Sequence, residues 1–325
     1  MSFLADYRIH ARMLIAVPVL FLGQSLMESR FRMIVEQIRE AHLLADADRV
    51  VGDKVIVGLR RLRDSNLPEL IILLLVVANT DFSFSTVADA IPWFATASTT
   101  GLRLTPAGWY AVVVSASISE FLLWLSLWKW LLWSIFAFKL SRMPLNLVPT
   151  HPDQHGGLGF LGLMADSFAP ISFAVTIVIG ATWRHEILHH HAHLVDFRLP
   201  AIVLVVIVVV LAFLPLAFFI PPLTDLWQKG MLEYSTLGQI LTTEFDEKWI
   251  AGRAGHEAQA LKEVESDNLL NFSQIYDRIT QLIPLPVDRS TLIPLVLSVV
   301  IPALPTILAE IPVGVALQDL FKALH

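Results

Sequence analysis

The chain has 325 residues, of which 55% are hydrophobic and 16% charged, and its mean hydropathy is +0.64. A soluble domain is about 45–50% apolar and about 25% charged, so this composition indicates a chain that lies largely in lipid. The net charge of −6 gives no indication of nucleic-acid binding, and the absence of cysteine excludes thiol catalysis, iron–sulfur clusters and disulfides.

Apolar runs long enough to cross a bilayer, about 20 residues each, recur along the chain. Residues 199–223 contain no charged residue and form the clearest run. The first run is short and broken by Pro18, and Glu69, Asn79 and Asp81 interrupt the second, so we expect one or two short or re-entrant segments. The sequence predicts an all-α integral membrane protein with about six transmembrane segments, at residues 13–27, 67–84, 108–138, 158–183, 199–223 and 292–314.

Two longer polar stretches, residues 29–66 and 224–290, hold most of the lysines and arginines. Their periodic apolar positions predict helices that together form a small cytoplasmic domain, because loops rich in Lys and Arg remain in the cytoplasm. Both termini are then predicted to lie outside. The predicted division is an N-terminal membrane segment (1–28), a cytoplasmic segment (29–66), membrane segments two to five (67–223), a second cytoplasmic segment (224–290) and the C-terminal membrane segment (291–325).

A histidine cluster, HEILHHHAH, begins at His185 after the fourth segment. It contains HExxH, a pattern that on a helix places two zinc ligands on one face beside a glutamate. Spacing at i, i+4 and i+8 makes His185, His189 and His193 candidate ligands of a divalent metal. A wetted, mildly basic interfacial loop is the interpretation we favour, and metal binding is the alternative. No catalytic residue is assigned, because a protease would need a distant third ligand. About 30 Å of hydrocarbon separates this cluster from His151 and His155, which excludes a shared desaturase-type metal pair.

Four charged residues in the third, fourth and sixth predicted membrane segments are candidates for a role there, since an ionised side chain within the bilayer costs about 2.5–3.5 kcal/mol. Glu120 and Lys129 are nine residues apart and point to opposite faces of one helix, so each needs a partner on another helix, a water-filled space or an interface. Lys129 lies among tryptophans and is predicted to snorkel within an aromatic belt. Glu120 and Asp166 are predicted to line a polar pathway or to form a buried hydrogen-bond network. Glu310 is predicted to be interfacial, and all four are candidate pathway residues.

The most distinctive stretch is THPDQHGGLGFLG, at residues 150–162. Pro152 and Asp153, which follow His151, suit a turn and a helix start, with Thr150 or Asp153 as the N-cap. Gly156 and Gly157 allow close backbone approach where the chain enters the bilayer. A tight turn with close helix packing is the interpretation we favour, and a helix N-terminus that holds an anion or lipid phosphate is the alternative.

This stretch resembles an HPDxxGGLGFLG motif of uncharacterised bacterial multi-spanning membrane proteins. The resemblance extends to residues 11–18, 61–65 and 233–249, and one departure is Lys129, where the resemblance leads us to expect arginine. It implies a multi-pass protein of the bacterial cytoplasmic (inner) membrane and supplies no mechanism.

Three functions from different classes remain open. The first is a homo-oligomeric channel or transporter for an ion or small solute, surrounded by membrane lipid and lined by groups such as Glu120 and Asp166. The second is a membrane-embedded metal-binding protein or metalloenzyme that uses HEILHHHAH. The third is a scaffold or assembly protein whose cytoplasmic helices bind a partner. We predict the first, because intramembrane carboxylates and proline-broken helices occur without a convincing catalytic motif, and nucleic acid is not a predicted partner.

Overall fold

A computed structural model of the chain describes residues 3, 6–87, 93–98, 101–190, 192–247, 263–287 and 289–310. An antiparallel hairpin, β1 (Ala95–Ser98) and β2 (Gly101–Leu104), pairs Ala95 with Leu104. The remaining elements are helical: α1 (Tyr7–Glu40), α2 (Asp46–Arg63), α3 (Asn66–Val87), α4 (Pro106–Ser141), α5 (Ala169–His190), α6 (Arg198–Ala217), α7 (Ile220–Phe245), α8 (Glu263–Thr280) and α9 (Arg289–Glu310). Short helical turns at Gly159–Gly162 and Leu163–Asp166 precede α5, and another at Leu194–Phe197 precedes α6.

Five helical stretches in the part of the chain that the structure describes are long and apolar enough to cross a membrane. They correspond to the first, third, fourth, fifth and sixth predicted segments, so the all-α membrane fold is confirmed. Helix α3 corresponds to the second, and only its shorter stretch Asn66–Asn79 is apolar. The five stretches are Tyr7–Glu40, Pro106–Ser141, Gly159–His190, Leu194–Ala217 and Ser290–Glu310.

The prediction of a short first segment is wrong. Helix α1 has 34 residues, which at 1.5 Å per residue makes it about 51 Å long, well beyond the hydrocarbon core. Pro18 does not break it, because a wider, π-helical turn at Ala11–Ala16 directly precedes the position where the proline lacks its N–H. The fifth segment also ends earlier than predicted, at Ala217, and Pro221 and Pro222 lie in the first turn of α7.

Helices α1, α4, α5 and α9 form the centre of the bundle. Helix α5 packs against α9 and α1, and α1 also packs against α4. Gly23 lets α1 approach α5, since a Cβ there would lie 3.0 Å from Pro170 Cβ. Thr306 Oγ1 of α9 donates to the Gly180 carbonyl of α5 at 2.8 Å. These small residues allow the close backbone contact by which membrane helices associate.

The other helices lie around this centre. Helix α4 contacts α3 and α6, α2 packs against the end of α4, and α7 packs against α8. The outward face of α6 presents Leu199, Ile202, Val203 and Val206, all of them apolar and exposed. Such a face suits contact with lipid tails, because it contains no polar group that would need water.

Candidate functional site

Asp153 organises the connection between α4 and α5 that contains the HPDxxGGLG stretch. Its carboxylate accepts backbone hydrogen bonds from His155 (2.9 Å), Gly157 (3.1 Å) and Gly159 (2.9 Å), and Oδ1 lies 2.7 Å from His151 Nδ1. Burial would raise the pKa of Asp153, but these hydrogen bonds outweigh burial and hold the pKa below its usual range. The N–H groups that a bound anion would need are therefore already taken by Asp153, which contradicts the anion interpretation of this turn.

The backbone of this connection has the tight conformation that its glycines predict. Gly156 and Gly157 have φ of +64° and +94°, and Gln154 also has a positive φ. A Cβ at Gly156 would lie 2.7 Å from Leu226 Cδ2 of α7, so close approach is required there. Pro152 lies in the turn rather than at a helix start, because the first helical residue is Gly159.

The connection also joins two distant parts of the chain. His155 is 1% exposed and its Nδ1 lies 3.1 Å from the Ile283 carbonyl, between α8 and α9. The Ile283 N–H donates to the Gln154 carbonyl at 2.9 Å. At its other end, the Asn146 N–H donates to the Leu43 carbonyl, between α1 and α2, at 2.8 Å. The connection between α4 and α5 thus joins the loop between α1 and α2 to the loop between α8 and α9.

Lys129 has its partners on α1. Its Nζ lies 2.7 Å from Glu28 Oε1 and 3.3 Å from Gln24 Oε1. Gln24 in turn donates to the Leu122 carbonyl at 3.1 Å and to Ser126 Oγ at 3.4 Å. Of the surroundings expected for Lys129, the structure shows a partner on another helix, and a carboxylate stabilises an ammonium that has lost part of its hydration. That Lys129 snorkels within the bilayer stays a prediction.

Two of the tryptophans near Lys129 pack inside the bundle. Trp133 is buried, and Trp130 Nε1 donates to the Leu211 carbonyl of α6 at 2.6 Å. Indole rings with one polar atom are stable inside a bundle when that N–H finds an acceptor. These two rings therefore hold helices together rather than mark an interface.

Glu120 is bonded between α3 and α4. Its Oε1 accepts from Asn79 Nδ2 of α3 at 2.7 Å and from Trp124 Nε1 at 3.4 Å. Arg12 of α1 interacts with it electrostatically. Asn79 and Arg12 are thus partners on other helices, one of the surroundings expected for Glu120, whereas Trp124 lies on the same helix.

Asp166 and Glu310 lie near the ends of membrane stretches. Asp166 ends the short helical turn before α5, and its Oδ1 is buried without a hydrogen-bond partner among the residues that the structure describes. Arg30 of α1 is the charge that acts on it. Glu310 ends α9, where its carboxylate accepts from the Leu194 N–H and Oε1 lies 3.3 Å from His193 Nδ1.

The histidine cluster does not have the predicted i, i+4 and i+8 arrangement. Helix α5 ends at His190, so His193 leaves the helical face and bonds to Glu310 instead. The rings of His185 and His189 do stack, with centroids 4.6 Å apart. No group of three or more His, Cys, Asp or Glu side chains suited to a metal ion is present in the described ranges, which omit residue 191.

Sequence reasoning missed the residues that partner Lys129. Gln24 and Glu28 were assigned to the end of a short first segment, although they are four residues apart and share one helical face. Their spacing and the lysine in the third segment were the signals available. The register that brings α1 beside α4 could not be deduced from either.

Comparison of the chain with protein-family models, curated proteins and solved structures finds no match. The class therefore follows from the chain itself: it is a multi-pass, all-α membrane protein. Its distinguishing features are a hydrogen-bonded junction around Asp153 and a polar network between α1 and α4.

Proposed function

We propose that the protein is a channel or transporter for an ion or small solute and that it works as a homo-oligomer in a bacterial cytoplasmic membrane. One observation carries the proposal. Gln24, Glu28, Ser126 and Lys129 form a polar network between α1 and α4, two helices suited to crossing the bilayer. An ion pair between two helices suited to crossing the bilayer loses part of its hydration, a cost that apolar packing would avoid, so we expect a role beyond holding the bundle together.

Polar groups occur at other levels of α1 as well. Arg12 lies within the electrostatic reach of Glu120, and Arg30 within that of Asp166. From Arg12 to Arg30 the helix rises about 27 Å, close to the thickness of a hydrocarbon core. Each of these carboxylates belongs to another element, so relative movement of α1 would change all of these contacts together.

Each charged group of the network can bind either its partner in the network or a mobile ion of opposite charge. The ammonium of Lys129 can exchange Glu28 for a mobile anion, and the carboxylate of Glu28 can exchange Lys129 for a mobile cation. The amide of Gln24 offers both a donor and an acceptor to either ion. Ser126 is fully buried, so the arrangement described here is a closed one.

The oligomeric part of the proposal is motivated by α3. This helix packs chiefly against α4 and leaves Leu67, Leu70 and Leu74 exposed. A second copy of the chain would cover this apolar face within the membrane, beside lipid. Mass measurement of the protein in nanodiscs tests this part separately, and a single chain per disc would refute it.

Flux through reconstituted vesicles tests the main proposal. Vesicles loaded with indicator dyes for protons, potassium and chloride would contain wild type, Lys129→Met, Glu28→Gln or the control Lys139→Met. Lys139 lies on the same helix as Lys129 but is exposed near its end. We expect the first two variants to change the rate or the ion preference while the control behaves as wild type. Absence of wild-type flux for every ion, or equal flux in all four proteins, would refute the proposal.

A further inference from the structure

A second polar cluster lies at the opposite end of the bundle from Asp153, where α1 begins and α5 ends. The Arg184 guanidinium stacks on the Tyr7 ring, with its central carbon 4.9 Å from the ring centroid. The His185 ring centroid lies 6.3 Å from that of Tyr7. Since His189 stacks on His185, one site brings together the start of one membrane helix and the end of another.

Three polar atoms of this cluster have no hydrogen-bond partner among the described residues. They are Tyr7 Oη, Arg184 Nε and His185 Nδ1, and all three are buried. His185 as a whole is only 8% exposed. Buried polar atoms are nearly always paired, so three orphans around one aromatic ring indicate a group that completes them. The transport network near Lys129 does not involve any of them.

The charges at this place determine which kind of group fits. Arg8 is neutralised by Asp6, whose Oδ2 lies 2.7 Å from its Nη2. In the described ranges, no carboxylate lies within ion-pair distance of Arg184 or of Arg12, one turn beyond Arg8, although Asp6 and Glu120 act on Arg12 from farther away. Glu186 is the acid that remains nearby.

A tyrosine hydroxyl and a guanidinium supply hydrogen-bond donors, and the guanidinium keeps its positive charge at any physiological pH. The missing group is therefore an acceptor that carries negative charge. A divalent cation beside His185 and His189 would be repelled by the same arginines, which disfavours the metal interpretation of this cluster.

We propose that Tyr7, Arg184 and His185 bind one phosphate group, either free phosphate or the headgroup of an anionic phospholipid. Arginine binds phosphate through two parallel N–H groups, and Tyr7 Oη adds a third donor. The stacking of Arg184 on the Tyr7 ring fixes the guanidinium plane before the ligand arrives. This inference goes beyond the transport proposal, because the site can bind its ligand whether or not the protein conducts an ion.

Two binding measurements on the full chain in dodecyl maltoside, a detergent without phosphate, test the inference. Equilibrium dialysis with radiolabelled inorganic phosphate measures the free ion. Native mass spectrometry with phosphatidylglycerol, compared with phosphatidylcholine, measures the lipid. We expect one equivalent of at least one probe per chain, and whichever binds identifies the source of the phosphate.

The variants Tyr7→Phe and Arg184→Gln should each weaken binding of that probe about tenfold or more, since each removes a donor to a charged group. Tyr110→Phe and Arg198→Gln are matched controls that should bind as wild type does. Tyr7→Phe deletes a single oxygen atom, so it decides the question if Arg184→Gln fails to fold. Failure of both probes to bind wild type, or unchanged binding in Tyr7→Phe, would overturn the inference.

Discussion

Replacement of Asp153 should destabilise the protein more than replacement of any exposed acid. In Asp153→Ala, the N–H groups of His155, Gly157 and Gly159 lose their acceptor, and each buried unpaired donor costs about 1–3 kcal/mol. Since such losses are not additive, we expect a total of about 3–5 kcal/mol. Asp153→Asn keeps one acceptor oxygen but turns an amide N–H₂ toward backbone donors, so we expect it to destabilise the protein by about 2 kcal/mol.

Unfolding in detergent, followed by tryptophan fluorescence, measures these differences in the free energy of unfolding. Asp64→Asn is the control, because Asp64 forms an exposed ion pair with Arg63, a kind of pair that contributes about 0–1 kcal/mol. If both Asp153 variants lie within about 0.5 kcal/mol of wild type, the carboxylate does not organise the junction and the reasoning fails.

The same carboxylate makes stability depend on pH in a defined direction. Because the pKa of Asp153 is lower in the folded protein than in the unfolded chain, its contribution is complete above the ordinary aspartate value of about 3.9. It is lost as pH falls through the folded pKa. The stability difference between wild type and Asp153→Asn should therefore shrink as the pH falls below about 4. A difference that keeps growing in that acid range would contradict this assignment.

Two further predictions concern packing. Lys129→Met and Glu28→Gln should each lower the free energy of unfolding by about 1–2 kcal/mol. This is less than for a fully buried pair, because Glu28 is 41% exposed. The double variant should lose less than the sum of the two single variants. A double-mutant cycle that shows simple additivity would argue against the pair. Gly156→Ala should cost about 2–3 kcal/mol, since a positive φ and contact with Leu226 oppose a Cβ, whereas Gly58→Ala on open α2 should be neutral or slightly stabilising. Equal melting temperatures for the two glycine variants would show that the turn is not constrained.

The membrane stretches could be predicted from the sequence because length and apolar composition are local properties. The need of Glu120 and Lys129 for separate partners was also predictable, since helical geometry places residues nine apart on opposite faces. Close approach at Gly156 followed from the same kind of local reasoning. In each case the information lies within a few turns of the residue concerned.

The remaining features depend on contacts between distant parts of the chain. Gln24 and Glu28 resembled the end of a membrane segment, because nothing local indicates that Lys129 lies beside them. His193 was placed on a helical face, since neither glycine nor proline follows His190 to mark the end of α5. Pro221 and Pro222, by contrast, were a local indication that α6 ends early, and the apolar composition of residues 218–223 concealed it.

The junction around Asp153 has a mechanical consequence. Main-chain hydrogen bonds attach the α4–α5 connection to Leu43 at one end and to Ile283 at the other. The connection therefore lies between the end of α1 and the segment that follows α8. A displacement of that segment is transmitted through these bonds to the end of α1 as long as the bonds hold. The helix that contains Gln24 and Glu28 is in this way linked, through the α4–α5 connection, to the segment that follows α8.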